Sequence, residues 1–126
     1  PIYNIDDRGN LTITVINGST YNPDVDIRIL IDGQERIYDQ HIMNHPMRSP
    51  STIYTYILQV PSGPHKIEVS SQKGKTQISK NFNISEKGYI GLSYDYTDPN
   101  KQYGTGEQKI PSSFYYSFST DQIIYE

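Results

Sequence analysis

The chain has 126 residues, a formal net charge of −3, no cysteine and 34% hydrophobic residues when tyrosine is counted. That length suits a single domain, and the lack of cysteine excludes disulfides, thiol nucleophiles and cysteine-ligated metals. The charges are scattered, so no basic stripe exists for nucleic acid, and no apolar run approaches the roughly 18 residues of a membrane span.

Twelve tyrosines stand against three phenylalanines and no tryptophan, and alanine is absent. Isoleucine, threonine and tyrosine suit a pleated surface, so the composition leans to strand. An AT-rich genome would bias the composition the same way. The chain opens on Pro1 rather than methionine, as a mature or trimmed segment would. A bacterial lipoprotein cut after its anchoring cysteine would read like this.

Alternation of period two begins at Leu11-Thr12-Ile13-Thr14-Val15, with the odd positions apolar. It returns over Val25 to Asp32, where Val25, Ile27, Ile29 and Ile31 share one face. Asp32-Gly33 then predicts a hairpin, since both residues tolerate positive φ, with a return strand over about Arg36 to Ile42. Residues 43–52 hold Pro46 and Pro50 and read as a loop or crossover. Ile53 to Val60 predicts the next strand, with Tyr54, Tyr56, Leu58 and Val60 on one face. Pro61-Ser62-Gly63-Pro64 interrupts it, and His65 to Ser70 alternates again.

Lys73-Gly74-Lys75 predicts a second hairpin turn, returning along Thr76 to Ile84 with Ile78, Phe82 and Ile84 aligned. Tyr89 to Tyr96 predicts a strand with Ile90, Leu92, Tyr94 and Tyr96 on its even side. Residues 97–111 form the longest irregular stretch, with Pro99, Gly104, Gly106 and Pro111. Ser113 to Ser119 aligns Phe114, Tyr116 and Phe118, and Ile123-Ile124-Tyr125 adds a possible short edge. About seven or eight strands with such regular turn signals predict a single all-β domain, an Ig-like or prealbumin-like antiparallel β-sandwich.

Three stretches within residues 25–84 carry a resemblance: Ile29-Leu30-Ile31-Asp32-Gly33, then Val60 to Val69, then Phe82-Asn83-Ile84. They are similar to small Ig-like and PEGA-type β-sandwich modules of bacterial envelope proteins, in which a strand ends in an Asp-Gly turn and a later G-x-H-x-I-x-V strand leads into a hairpin. The PEGA tetrapeptide itself is missing. The resemblance implies an extracytoplasmic, non-catalytic accessory domain on a bacterial surface or secreted protein. It carries over no functional residues.

Three polar groupings were weighed for chemistry. Asp39, His41 and His45 form D-x-H-x3-H, with Asp39 and His41 on one side of a strand. A zinc site needs three or four ligands in a fixed tetrahedron, and His45 lies beside Pro46 in a loop, so surface histidines by a turn are the simpler account. His65 shares a face with Ile67 and Val69, and no serine stands in a G-x-S-x-G context, so it reads as a packed histidine at a strand start. Asp95, Asp98 and Asn100 offer oxygen ligands, but at spacings unlike an EF-hand, and Asp-Pro-Asn is ordinary turn chemistry. The scattered glutamates propose no facing pair. No catalytic residue, metal or cofactor is therefore expected.

The tyrosines stand above this background. Many fall on inward faces. Tyr89, Tyr103 and Tyr115 are the candidates for exposure, and exposed rings stack on sugars or anchor proteins. The expected contact region is the stretch 97–111 with its flanking strands, carrying Asp95, Asp98, Asn100, Tyr103 and Tyr115. The function expected is a non-catalytic extracytoplasmic binding or structural module, with a protein or glycan partner at the cell surface. A carbohydrate-binding module using exposed tyrosines is the first alternative. A small metal-dependent enzyme around Asp39, His41 and His45 is the second.

Overall fold

The computed structural model describes residues 2–3, 9–18, 24–43, 53–96 and 112–120. Among them lie nine strands and no helix: β1 Ile2–Tyr3, β2 Leu11–Asn17, β3 Asp24–Ile31, β4 Gln34–Met43, β5 Tyr54–Leu58, β6 Gly63–Ser71, β7 Thr76–Ile84, β8 Gly88–Tyr96 and β9 Ser112–Ser119. They form a five-stranded sheet in the order β1-β4-β3-β6-β7 and a four-stranded sheet in the order β5-β2-β8-β9. This is the all-β sandwich that the alternation predicts. Every pairing is antiparallel but one: β2 and β8 run parallel, from Leu11 opposite Gly88 to Asn17 opposite Tyr94. The predicted stretches 97–111 and 123–125 lie outside the described residues, as does 44–52.

The core is the sum of the inward faces. Leu11, Ile13, Val15, Tyr56, Leu58, Ile90, Leu92, Tyr94 and Phe114 from the four-stranded sheet meet Val25, Ile27, Ile29, Ile31, Ile37, Ile42, Ile67, Val69, Phe82 and Ile84 from the other. Burying each aliphatic side chain stabilises the fold by about 1.5–3 kcal/mol, which sets the register of every strand with one dry face. Phe82 and Phe118 pack at 5.6 Å between ring centroids, and Tyr94 and Phe114 meet edge-on at the same distance.

Strand β4 departs from simple alternation. Ile37 and Ile42 are both fully buried although five residues apart, which would put them on opposite faces of a regular strand. The pairing of β3 with β4 shifts between Val25 and Ile27 and again between Ile29 and Leu30, with an extra β4 residue each time. The first of these bulges lies between Asp39 and Ile42, so it resets the pleat between the two isoleucines and lets both face inward. The strand also runs through Met43, one residue into the segment read from sequence as a loop.

The two hairpin turns use their glycines differently. Asp32 and Gly33 have φ of 52° and 82°, the left-handed pair that a two-residue hairpin between twisted strands requires. In the β6–β7 turn the positive φ of 54° falls on Lys75, not on Gly74. Gly74 is there for close approach: a Cβ on it would lie 2.5 Å from Cε1 of the buried Tyr94 ring.

Asparagines close both ends of β2. Asn10 pairs with the Val60 main chain through both atoms of its amide, at 2.8 and 2.9 Å. Buried Asn17 donates across the sandwich to the Ile42 carbonyl at 3.0 Å. No helix among the described residues is long and apolar enough to cross a membrane.

Candidate functional site

The outward positions of the two sheets differ in chemistry. On the four-stranded sheet they are Thr55 and Ile57 of β5, Thr12, Thr14 and Ile16 of β2, Tyr89, Gly91, Ser93 and Asp95 of β8, and Ser113, Tyr115, Ser117 and Ser119 of β9. Asp95 is the one charged side chain in this set. Register places them in rows across the strands: Ile57, Thr12, Tyr89 and Ser119; then Thr55, Thr14, Gly91 and Ser117; then Ile16, Ser93 and Tyr115; then Asp95 and Ser113.

Tyr115 is 62% exposed, the single exposed large hydrophobic among the described residues. Tyr89 is half-buried on the same face, four residues along β8 and one strand across from Tyr115, a backbone separation of about 14 Å. Such a surface can stack a ring on an apolar face and hydrogen-bond through neutral hydroxyls. No protein family, curated protein or solved structure matches this chain.

Of the residues expected at the contact region, the structure brings Asp95 and Tyr115 onto one face, on adjacent strands and in neighbouring rows. Asp98, Asn100 and Tyr103 lie outside the described residues. The strands bracketing them end together, with Tyr96 opposite Ser112. Sequence reasoning missed the hydroxyl rows of Thr12, Thr14, Thr55, Ser93 and Ser117. Their signal was present as the polar half of each alternating strand, but only the sheet order shows that they adjoin.

The Asp39, His41 and His45 grouping does not converge. Asp39 accepts the Tyr56 hydroxyl at 2.8 Å and the His41 main-chain N–H at 3.1 Å. The exposed His41 ring turns instead to Asp24, with Nδ1 at 3.0 Å from Oδ2. Lys73 Nζ stands 3.8 Å from the same carboxylate and donates to the Gln40 carbonyl at 2.9 Å. His45 lies outside the described residues, and among the described ones no group of three metal-ligating side chains gathers.

His65 does have a carboxylate in reach, which its sequence context hid. Nδ1 lies 2.5 Å from Asp32 Oδ2, and Nε2 lies 2.6 Å from the Pro61 carbonyl oxygen. That second bond occupies the nitrogen a general base would need free. The bond to His65 and the Lys66 N–H hold the Asp32 carboxyl below its ordinary 3.8. Asp26 plays a matching part at the far end of β3. Burial pushes its carboxyl up, but the amides of Lys73 and Gln72 and the Ser71 hydroxyl outweigh that and hold it below 3.8. The five-stranded sheet also carries a depression of about 250 Å³ over Leu30, Glu68, Ser70, Gln77 and Ser79. No aromatic ring lines it.

Proposed function

We propose that this chain is a non-catalytic binding module whose contact surface is the outer face of the four-stranded sheet. Its ligand on this reading is a neutral glycan chain. The observation that carries it is the pairing of a 62% exposed tyrosine with rows of uncharged hydroxyls on a face holding a single carboxylate. Among the described residues of this face a phosphate-bearing polymer would find no cation to neutralise it. A sugar offers C–H faces to Tyr115 and Tyr89 and hydroxyls to the serines and threonines between them. The setting that agrees with this is extracytoplasmic, on a bacterial surface or secreted protein, as the Ig-like resemblance implies.

The test is binding of the purified chain to an array of neutral and acidic glycans, repeated with Tyr115→Ser. The expected result is retention on neutral glycans, with affinity falling tenfold or more in the variant, a loss of about 1.4 kcal/mol. Binding that survives the substitution would place the site elsewhere. Failure on every glycan would turn the reading to a protein partner on the same face, where an exposed tyrosine is a common anchor.

A further inference from the structure

His65 lies where two connections meet strand β7, at the end of the sandwich opposite to Tyr96 and Ser112. Asp32 comes from the β3–β4 turn, Pro61 from the segment between β5 and β6, and Phe82 from β7. The His65 side chain is 7% exposed, and its ring sits 5.4 Å from that of Phe82. Both ring nitrogens face acceptors. A carbonyl oxygen has no proton to give, so the 2.6 Å contact with Pro61 requires Nε2–H. The Asp32 carboxylate is half-exposed and already accepts the Lys66 N–H at 2.9 Å, so it stands ionised at neutral pH. The contact at 2.5 Å therefore requires Nδ1–H. Only the imidazolium has both hydrogens. A neutral ring must give up one of the two bonds and turn a lone pair toward an oxygen.

We propose that His65 is a proton-operated clamp, which in its charged form ties the Asp32 turn to the Pro61 connection and which lets that connection go when the proton is lost. Charged groups on the surrounding elements toward this end are Arg28 on β3, Glu35 on β4, Lys66 and Glu68 on β6, Lys80 on β7, Glu86 and Lys87 before β8, and Arg36 on β4, which reaches the Gln59 carbonyl at 3.4 Å. The charged group bonded to the ring is Asp32 of the β3–β4 turn. Burial pushes the His65 pKa down, but the bonds to Asp32 and Pro61 outweigh it and hold it above the ordinary 6.5. With the folded value raised, the clamp's contribution is complete below pH 6.5 and disappears as pH rises through the folded value. A shift from acidic to alkaline surroundings would thus loosen one end of the sandwich while leaving the sheets paired.

The experiment is a pH titration of the whole chain by NMR, with the His65 signals assigned from the spectrum of His65→Gln. Ring ¹⁵N shifts are expected to show both nitrogens protonated near neutral pH, a midpoint above 6.5, and a lower midpoint in Asp32→Asn. Melting temperature should fall between about pH 6 and about pH 9 in the native chain and much less in His65→Gln. A ring carrying one proton at about pH 6, a midpoint at or below that of a free histidine, or an equal pH slope in both chains would overturn the proposal. If His65→Gln does not fold, the native titration and the Asp32→Asn midpoint decide alone.

Discussion

The two sheets of this sandwich divide the work of charge between them. The strands of the five-stranded sheet carry Asp24, Asp26, Arg28, Glu35, Arg36, Asp39, Lys66, Glu68 and Lys80, and several of these are engaged in structure. Asp26 and Asp32 grip β6 from the two ends of β3, and Arg28 pairs with Glu35 at 2.8 Å while lying over the Tyr38 ring. The strands of the four-stranded sheet carry Asp95 and no other charge. One sheet is pinned by ionic and charge-assisted bonds, and the other is held by its apolar inner face and by asparagine amides. The outer face of the four-stranded sheet therefore carries a single charge among the described residues, that of Asp95.

The contrast breaks hardest at Asp26. Its carboxylate is 5% exposed and accepts from Ser71 Oγ at 3.0 Å, from the Lys73 N–H at 2.8 Å and from the Gln72 N–H at 3.1 Å. Asp26→Ala strands three donors and is expected to destabilise the chain by about 3 kcal/mol in urea unfolding. Because its folded pKa is lowered, the Asp26 contribution is whole above pH 3.8 and is lost as pH falls below that through the folded value. Acid unfolding of Asp26→Asn should accordingly show a shallower pH dependence than that of the native chain. An unchanged profile would mean that the carboxylate is not what ties the turn to β3.

Gly74→Ala tests the seam between the sheets. The new methyl would press on Tyr94, which is fully buried, and on Ser71 Oγ at 2.9 Å. A loss of about 2 kcal/mol is expected, as for overpacking in a dense core. Tyr116→Phe should go the other way. The Tyr116 hydroxyl is buried without a hydrogen-bond partner among the described residues, and burial pushes its pKa up. Removing it is expected to leave stability level or to raise it by about 1 kcal/mol, read as a shift in denaturant midpoint. The smallest effect belongs to the outer face of the four-stranded sheet. Tyr115→Ser should change stability by less than about 0.5 kcal/mol, since the ring stands mostly in water. A large loss there would show that the tyrosine serves the fold rather than a ligand.

The alternation in the sequence determined the strands and their inner faces, because a half-buried strand must repeat every two residues to keep one side dry. Leu11, Ile13 and Val15, or Ile90, Leu92 and Tyr94, declare their faces without any knowledge of their neighbours. Asp32-Gly33 likewise announces its turn, since few dipeptides accept two left-handed residues. The exposure of Tyr115 followed from the same parity. Three things had to wait for tertiary structure. The inward turn of both Ile37 and Ile42 depends on the bulge between Asp39 and Ile42 set by pairing with β3, which no local pattern in β4 encodes. The Asp32–His65 pair joins residues 33 positions apart, and only the packing of β6 beside β3 brings the carboxylate to the ring. The candidate surface arises because β2, β5, β8 and β9, which carry one charge between them, are grouped in one sheet. Strand order is fixed by how the apolar faces and connections close together, a property of the whole chain, so the hydroxyls were legible one by one and the surface they make was not.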